Sequence, residues 1–197
     1  MVARAKAVRK QASYTADDLW EMASRPEYED KLLELIEGEL IVMTPSSSVP
    51  SMIGIELARL IGTHVRAHNL GYVTGADGGF KLSDKTVLAP DVGFVAKSRV
   101  TALPDRFFPL APDLAAEVVS PTDSIFKVQR KAMKYIAYGT RLVWIIYPKE
   151  EAADVCRPSQ EGDMSVQRIT IDGALDGGDV LPGFSLPLRD LFSILPK

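Results

Sequence analysis

Hydrophobic and polar positions along the chain alternate between two periods, and the changes of period mark its elements. In "YTADDLWEMAS" (14–24), Leu19, Trp20, Met22 and Ala23 share one face. Thr15 precedes them as an N-cap, and Asp17 and Asp18 fall in the first turn, so a short helix ending before Pro26 is predicted. "KLLELIEGELIVMTP" (31–45) reads as two strands joined at Glu37-Gly38, a pair suited to a tight hairpin turn. From Pro50 the apolar residues Ile53, Ile55, Leu57, Leu60, Ile61 and Val65 recur near helical spacing, and Asn69-Leu70-Gly71 supplies the stop. Strand-like pieces separated by Gly and Asp turns follow, the last predicted from Val87 to Ala96.

Beyond a loop rich in proline, "LAAEVVS" (114–120) is almost continuously apolar, which suits a central strand covered on both faces. The next helix has Ser120, Thr122 and Asp123 as cap candidates, an inner face of Ile125, Val128, Ala132, Tyr135 and Ile136, and a stop at Gly139. "RLVWIIYP" (141–148) is a second buried strand, so this unit predicts two parallel strands with a right-handed crossover. "DVCRP" and "MSVQRITID" read as edge strands, and "LPLRDLFSIL" as a short terminal helix. The expected class is α/β, in the α+β sense of a central mixed sheet flanked by helices.

Composition narrows the function classes. At 197 residues, 46% hydrophobic and 25% charged, the chain reads as an ordinary globular protein with residues 13–197 as one domain. Residues 1–12 carry Arg4, Lys6, Arg9, Lys10 and the terminal amine with little to bury, which predicts a disordered basic tail. No apolar run approaches the ~18–20 residues of a membrane span and no secretory signal is evident, so a cytoplasmic location without membrane contact is expected. The single Cys156 excludes an internal disulfide or a Cys-rich zinc cluster, and reads as an apolar strand residue. A formal net charge of −3 counts against a broad polyanion-binding surface.

Against this background two acidic residues stand out, Asp91 in "LAPDVGFVAK" and Glu117 in "LAAEVVS", because buried strands normally exclude charge. If the two strands pair, both carboxylates converge, and two hard oxygen ligands suit Mg²⁺ or Mn²⁺. Such an ion supports phosphodiester hydrolysis by polarising the phosphate and acidifying a bound water. Lys131 is the best complementary cation, since the helix after the Glu117 strand folds back over the sheet. Lys127, Arg130, Lys131 and Lys134 otherwise suit a solvated helix face, and His64 and His68, without a third ligand, suit surface histidines.

The blocks "LLELIEGELIVMTP", "APDVGFV", "AAEVVSPTDS", "KAMKYIAYGTRLVWIIYP" and "LPGFSLPLRDLF" together resemble a widespread bacterial family of "putative restriction endonucleases" within the PD-(D/E)XK nuclease superfamily. The resemblance runs over roughly 14–193 and implies a restriction-endonuclease-like core and a metal-dependent endonuclease acting on DNA. It implies Asp91 and Glu117 as metal ligands, joined by the backbone carbonyl of Val118. The usual lysine position falls on Val119, which has no charge to offer, and the family pattern supplies a lysine from the next helix, here Lys131 four residues before Tyr135. Glu34 matches the acid of the N-terminal block, as a further ligand or a water-orienting base. Where family members often carry a histidine before the long helix, this chain has Pro50 and Ser51. A homodimer would supply two sites for the two strands of a duplex. The competing expectations are a non-catalytic scaffold that keeps the nuclease fold and a hydrolase of small phosphate esters.

Overall fold

Two sheets of different size organise the chain, and the acidic residues lie where the backbone passes from one to the other. The structure, a computed structural model, describes residues 13–196; the expected basic tail lies outside the described residues. Helix α1 (Ala16–Ala23) opens with the predicted cap: the Thr15 hydroxyl accepts from the Asp18 N–H, and the Asp18 carboxylate accepts from the Thr15 N–H. Strands β1 (Leu32–Ile36) and β2 (Glu39–Met43) form the expected hairpin. Glu37 and Gly38 both have positive φ, 53° and 84°, as the favoured two-residue hairpin turn requires.

Helix α2 (Ser48–Ala67) starts two residues before the predicted Pro50, which is tolerated because the first turn has no helical acceptor for an N–H. Its buried stripe is Ile53, Leu57, Ile61 and Val65. Ile55, expected on that face, is exposed: two residues from Ile53, it falls on the opposite side of a 3.6-residue turn. Strands β3 (Gly71–Thr74), β4 (Phe80–Ser83), β5 (Thr86–Leu88) and β6 (Val92–Ala96) follow.

The predicted Val87–Ala96 strand is therefore two strands in different sheets. β5 belongs to a four-stranded sheet of order β2-β1-β5-β4, whereas β6 belongs to the large one. The break falls at Ala89-Pro90-Asp91, where proline has no N–H to continue a ladder. Asp91 accordingly sits at a bend just before β6.

Strand β7 (Leu114–Val118) is buried throughout and pairs in parallel with β8 (Leu142–Tyr147), as expected. Between them lies α3 (Ile125–Ala137). Ser120, Thr122 and Asp123 do not cap it; Ser124 holds that position without a side-chain bond. The Asp123 carboxylate instead accepts from the Ser120 N–H at 2.8 Å, closing the preceding turn on itself. Ile125 is exposed rather than packed. β9 (Ala152–Pro158) and the edge strand β10 (Met164–Ile169) complete the large sheet, order β10-β9-β8-β7-β6-β3, antiparallel except for β7/β8. A hairpin of β11 (Ala174–Asp176) and β12 (Ser185–Pro187), absent from the sequence reading, leads into α4 (Leu188–Phe192). Cys156 is buried on β9, as expected.

Strand alternation sorts the core into two layers. Leu114, Ala116, Val118, Leu142, Trp144 and Ile146 pack with α2 and the C-terminal elements. Ala115, Val143, Ile145 and Tyr147 pack on the opposite face with Ala132 and Tyr135 of α3 and Leu88 of the small sheet. Glu117, two residues from Ala115, points into that second layer, where an apolar strand, a helix and the small sheet leave little access for water.

Candidate active site

Glu117 is placed by β7, Lys131 by α3, Glu34 by β1 and Asp91 by the crossing between sheets. Val92 pairs with Ala116, so one further step along the chain brings Asp91 level with Glu117 at the end of β7. The Asp91 carboxylate accepts the Val118 N–H at 2.7 Å, which fixes the bend against the end of β7. Gly54 of α2 lies against Asp91: a Cβ there would stand 3.9 Å from the Asp91 Cβ, an ordinary contact.

Lys131 occupies the centre. Its ammonium lies 2.8 Å from Glu34 Oε1 and 2.9 Å from Glu117 Oε1, and it donates to the Ala89 carbonyl at 3.1 Å. Both acids are buried, Glu34 at 2% and Glu117 at 8% exposure. The Ala89 N–H donates to Glu34 Oε1 at 2.8 Å, so one residue of the sheet crossing braces both the lysine and its acid. The Tyr135 hydroxyl donates to Glu117 Oε1 at 3.1 Å. Tyr135 lies one turn beyond Lys131, so both reach the same carboxylate from one helix face.

Burial is the dominant force on these groups. It raises Asp91 above its usual value, against the lowering effects of the Val118 N–H and the Lys131 charge. It pushes Glu117 up to about 8, again opposed by Lys131, with Asp91 and Glu34 adding like-charge repulsion. For Lys131 burial favours the neutral amine, but the Glu117 and Glu34 charges outweigh it and hold the ammonium firmly protonated. Tyr135 is held far above the usual phenol value by burial and the adjacent carboxylates, so it remains a donor. Two carboxylates therefore contact one ammonium, and a third, Asp91, lies near enough to feel its charge. Fully ionised, the group would carry an excess of two negative charges in a water-poor setting; burial is the main cause of the raised Glu117 value, and the like charges of Asp91 and Glu34 add to it.

The donor chemistry fits a hard divalent cation, because carboxylate oxygens are what such ions take. Glu34 and Glu117 are turned onto Lys131, however, and among the described residues no group of three or more His, Cys, Asp or Glu side chains is arranged as a cage. Mg²⁺ commonly keeps several waters and takes only one or two carboxylates, which such a partial set can supply.

Asp91, Glu117, Lys131 and Glu34, all singled out in the sequence, are thus brought together, with Val118 beside them through its N–H. Val119, at the usual lysine position, is half-buried against the α3 layer and donates its N–H to Ile146 at 2.9 Å. Gln129 is exposed. The two histidines stack with ring centroids 4.3 Å apart, His64 bonding the Pro182 carbonyl and His68 the His64 carbonyl. The Tyr135 hydroxyl was missed as a site group; the signal was a tyrosine on an otherwise apolar inner face, one turn from Lys131. The part played by the Ala89 backbone has no side-chain signal at all.

Among the described residues no helix is long and apolar enough to cross a membrane. No curated protein matches the chain. Solved structures that resemble it include that of a "putative nuclease belonging to DUF820" from Anabaena variabilis ATCC 29413, at 26% identity and a TM-score of 0.76, covering 91% of this chain and 97% of that one. Residues 17–189 match the model of the Uma2 family, described as "Putative restriction endonuclease", and the chain belongs to that family.

Proposed function

We propose that the protein is a metal-dependent endonuclease that hydrolyses DNA phosphodiester bonds in the cytoplasm. The observation that carries this reading is the acidic cluster at the end of β7: Glu117 and Glu34 buried on the single ammonium of Lys131, with the half-buried Asp91 beside them on the Val118 N–H. Asp91, Glu117 and the Val118 carbonyl would hold Mg²⁺ or Mn²⁺. Bound there, the ion supplies polarisation of a phosphate oxygen and a water acidic enough to yield hydroxide near neutral pH.

The chain's own residues supply the rest. Lys131 has three N–H donors and three partners, Glu34, Glu117 and the Ala89 carbonyl. Once Glu117 is engaged elsewhere, one N–H becomes free for the phosphate oxygen on which charge builds up, while Glu34 and Ala89 keep the ammonium in place. Tyr135 orients Glu117 through Oε1, and Lys131 holds Oε2 at 3.2 Å, the bond that engaging a ligand would release. Glu34 serves as a positioning acid for Lys131, with orientation of the attacking water as its further role.

The test is incubation of the purified protein with plasmid and short DNA in Mg²⁺ or Mn²⁺, beside Asp91→Ala and Lys131→Ala. Cleavage by the wild type alone is expected; equal cleavage by all three proteins would sink the assignment. The saturated hydrogen bonding of Lys131 favours a second reading, a non-catalytic scaffold in which the cluster is a buried ion network. That reading requires no heat of Mn²⁺ binding in calorimetry, whereas the nuclease reading requires heat that Asp91→Ala removes.

A further inference from the structure

The carboxyl ends of β7 and β8 open into a cleft of about 300 Å³ beside the acidic cluster. Val49 and Pro50 of α2 form one wall, Pro121 and Ile125 another, and Tyr147 and Pro148 a third. Tyr147 is buried, its hydroxyl committed to Asp154 at 2.8 Å and its ring held under the Arg168 guanidinium at 4.2 Å, so it closes the floor of the cleft. Asp123 also lines the cleft, and its charge reaches Asp91. Pro50 stands one turn before Gly54, the residue against Asp91. A ligand with its phosphate at the carboxylates would bring its neighbouring group to this cleft.

Charge restricts what that group is. The net charge is −3, and four of the 23 basic residues precede residue 13, so the remainder is more acidic still. Duplex binding draws on many phosphate contacts from Lys and Arg. Here the nearby cations are Lys127, Lys131 and Lys134 on one flank of α3, at i, i+4 and i+7, and Lys149, which lines the cleft beside the acidic Glu150. Lys131 sits in the cluster and Lys134 on Glu37; Lys127 is exposed and, among the described residues, has no ion pair. That suffices for a phosphate or two. Binding must therefore draw on apolar contact, supplied here by the proline and aliphatic side chains of Val49, Pro50, Pro121, Ile125 and Pro148. The cleft lies at the lower end of the ~300–1,000 Å³ range of small-molecule sites, room for one flat ring system and too little for a base pair.

We propose that this cleft takes one unpaired nucleobase of a DNA strand whose adjoining phosphate lies at Asp91, Glu117 and Lys131, so that single-stranded or frayed DNA is preferred to intact duplex. This rests on the nuclease reading and adds its substrate class. The partly exposed Ile125 can be enlarged without opening the core, and Ile125→Trp would fill the cleft.

The decisive measurement is fluorescence anisotropy of the full chain in EDTA with a labelled single strand and with the same sequence as blunt duplex. The single strand should bind about tenfold tighter, and Ile125→Trp should abolish that preference with an unchanged melting temperature, while Ile125→Ala stays within a few-fold of wild type. In Mn²⁺, an abasic site at one position beside the cut should slow cleavage about tenfold. Equal binding of strand and duplex, or full single-strand binding by Ile125→Trp, overturns the inference. Cleavage of duplex indifferent to abasic substitution also overturns it and leaves the nuclease reading intact. Absence of any cleavage in Mn²⁺ fails the nuclease reading instead, and the binding arm in EDTA still decides the cleft.

Discussion

The two ends of β7 each bury an acid, and they resolve the problem in opposite ways. At the amino end Asp113, 1% exposed, accepts the Ala96 N–H at 2.8 Å and pairs with Arg99 at 3.0 Å and Arg141 at 3.2 Å. Two guanidinium groups and an amide serve one carboxylate, and Arg141 passes its spare capacity to Asp179. At the carboxyl end two buried carboxylates share one ammonium, and the half-buried Asp91 adds a third acid beside them. The first arrangement is saturated and ties loops to the sheet; the second is short of positive charge and adjoins a cleft. Burial of an acid thus says little about role, whereas the balance of charge around it says a good deal.

The largest expected effect is a double dissociation between the ends. Lys131→Ala should lower DNA cleavage in Mn²⁺ by about 10²–10³-fold, and Asp91→Asn should do at least as much while leaving the fold as stable or more so, because it removes one of the crowded charges. Asp113→Ala should leave Arg99 and Arg141 without their shared partner and cost about 3 kcal/mol, a melting temperature lower by roughly 6–12 °C. Cleavage per folded molecule should survive. Thermal melts beside cleavage assays check both arms, and loss of activity in a folded Asp113→Ala protein would break the contrast.

Next comes pH. Burial raises Glu117 in the folded protein from the ordinary 4.5 to about 8, so between those values the unfolded chain is ionised there while the folded one holds its proton. The unfolded state then binds fewer protons, and stability falls as pH climbs from about 4.5 towards 8, levelling off above. Melts in EDTA across that window should show the decline, and Glu117→Gln should flatten it. An unchanged slope in the variant would remove Glu117 as its source.

The difference between the two ends was only half legible in the sequence. Periodicity read β7, α3 and β8 well because a buried parallel unit is nearly uniform in its apolar runs, and the carboxylates stood out against that background. Lys131 followed from the helix folding back over its own strand. The division of Val87–Ala96 was hidden, since both halves are apolar and only Pro90 marks the point where the chain leaves one sheet for another. That crossing brings Glu34 into the cluster: β1 and β5 are paired through Leu35 and Val87, and a contact between residues 55 positions apart leaves no local trace. Ile55 and Ile125 were misread for a simpler reason. Ile55 lies on the outer side of α2 and Ile125 on the rim of the cleft, and exposed apolar residues look the same in sequence as packed ones.

A smaller effect isolates the tyrosine. Tyr135→Phe keeps the packing of the inner α3 face and removes only the donor to Glu117 Oε1. A hydrogen bond to a charged group contributes about 1.5–3 kcal/mol and one to a neutral group about 1 kcal/mol, and Glu117 passes between those states. The expected result is a fall in kcat of roughly 5–30-fold with KM nearly constant, because Tyr135 orients a site group. A rise in KM alone would place Tyr135 in substrate binding instead.

The smallest effect belongs at the saturated end, and its smallness is the point. Arg141 reaches Asp179 at 2.9 Å, but the two side chains are 43% and 77% exposed, so water and salt screen the pair. Exposed pairs contribute about 0–1 kcal/mol, and Arg141 retains Asp113 when Asp179 is lost. Asp179→Asn should therefore shift the melting temperature by no more than roughly 1–3 °C. Asp113 draws on two guanidinium groups and an amide, so the loss of an outlying charge does not expose it. A drop as large as that of Asp113→Ala would mean that Asp179 holds Arg141 in place, and that the amino end of β7 is balanced as narrowly as the carboxyl end.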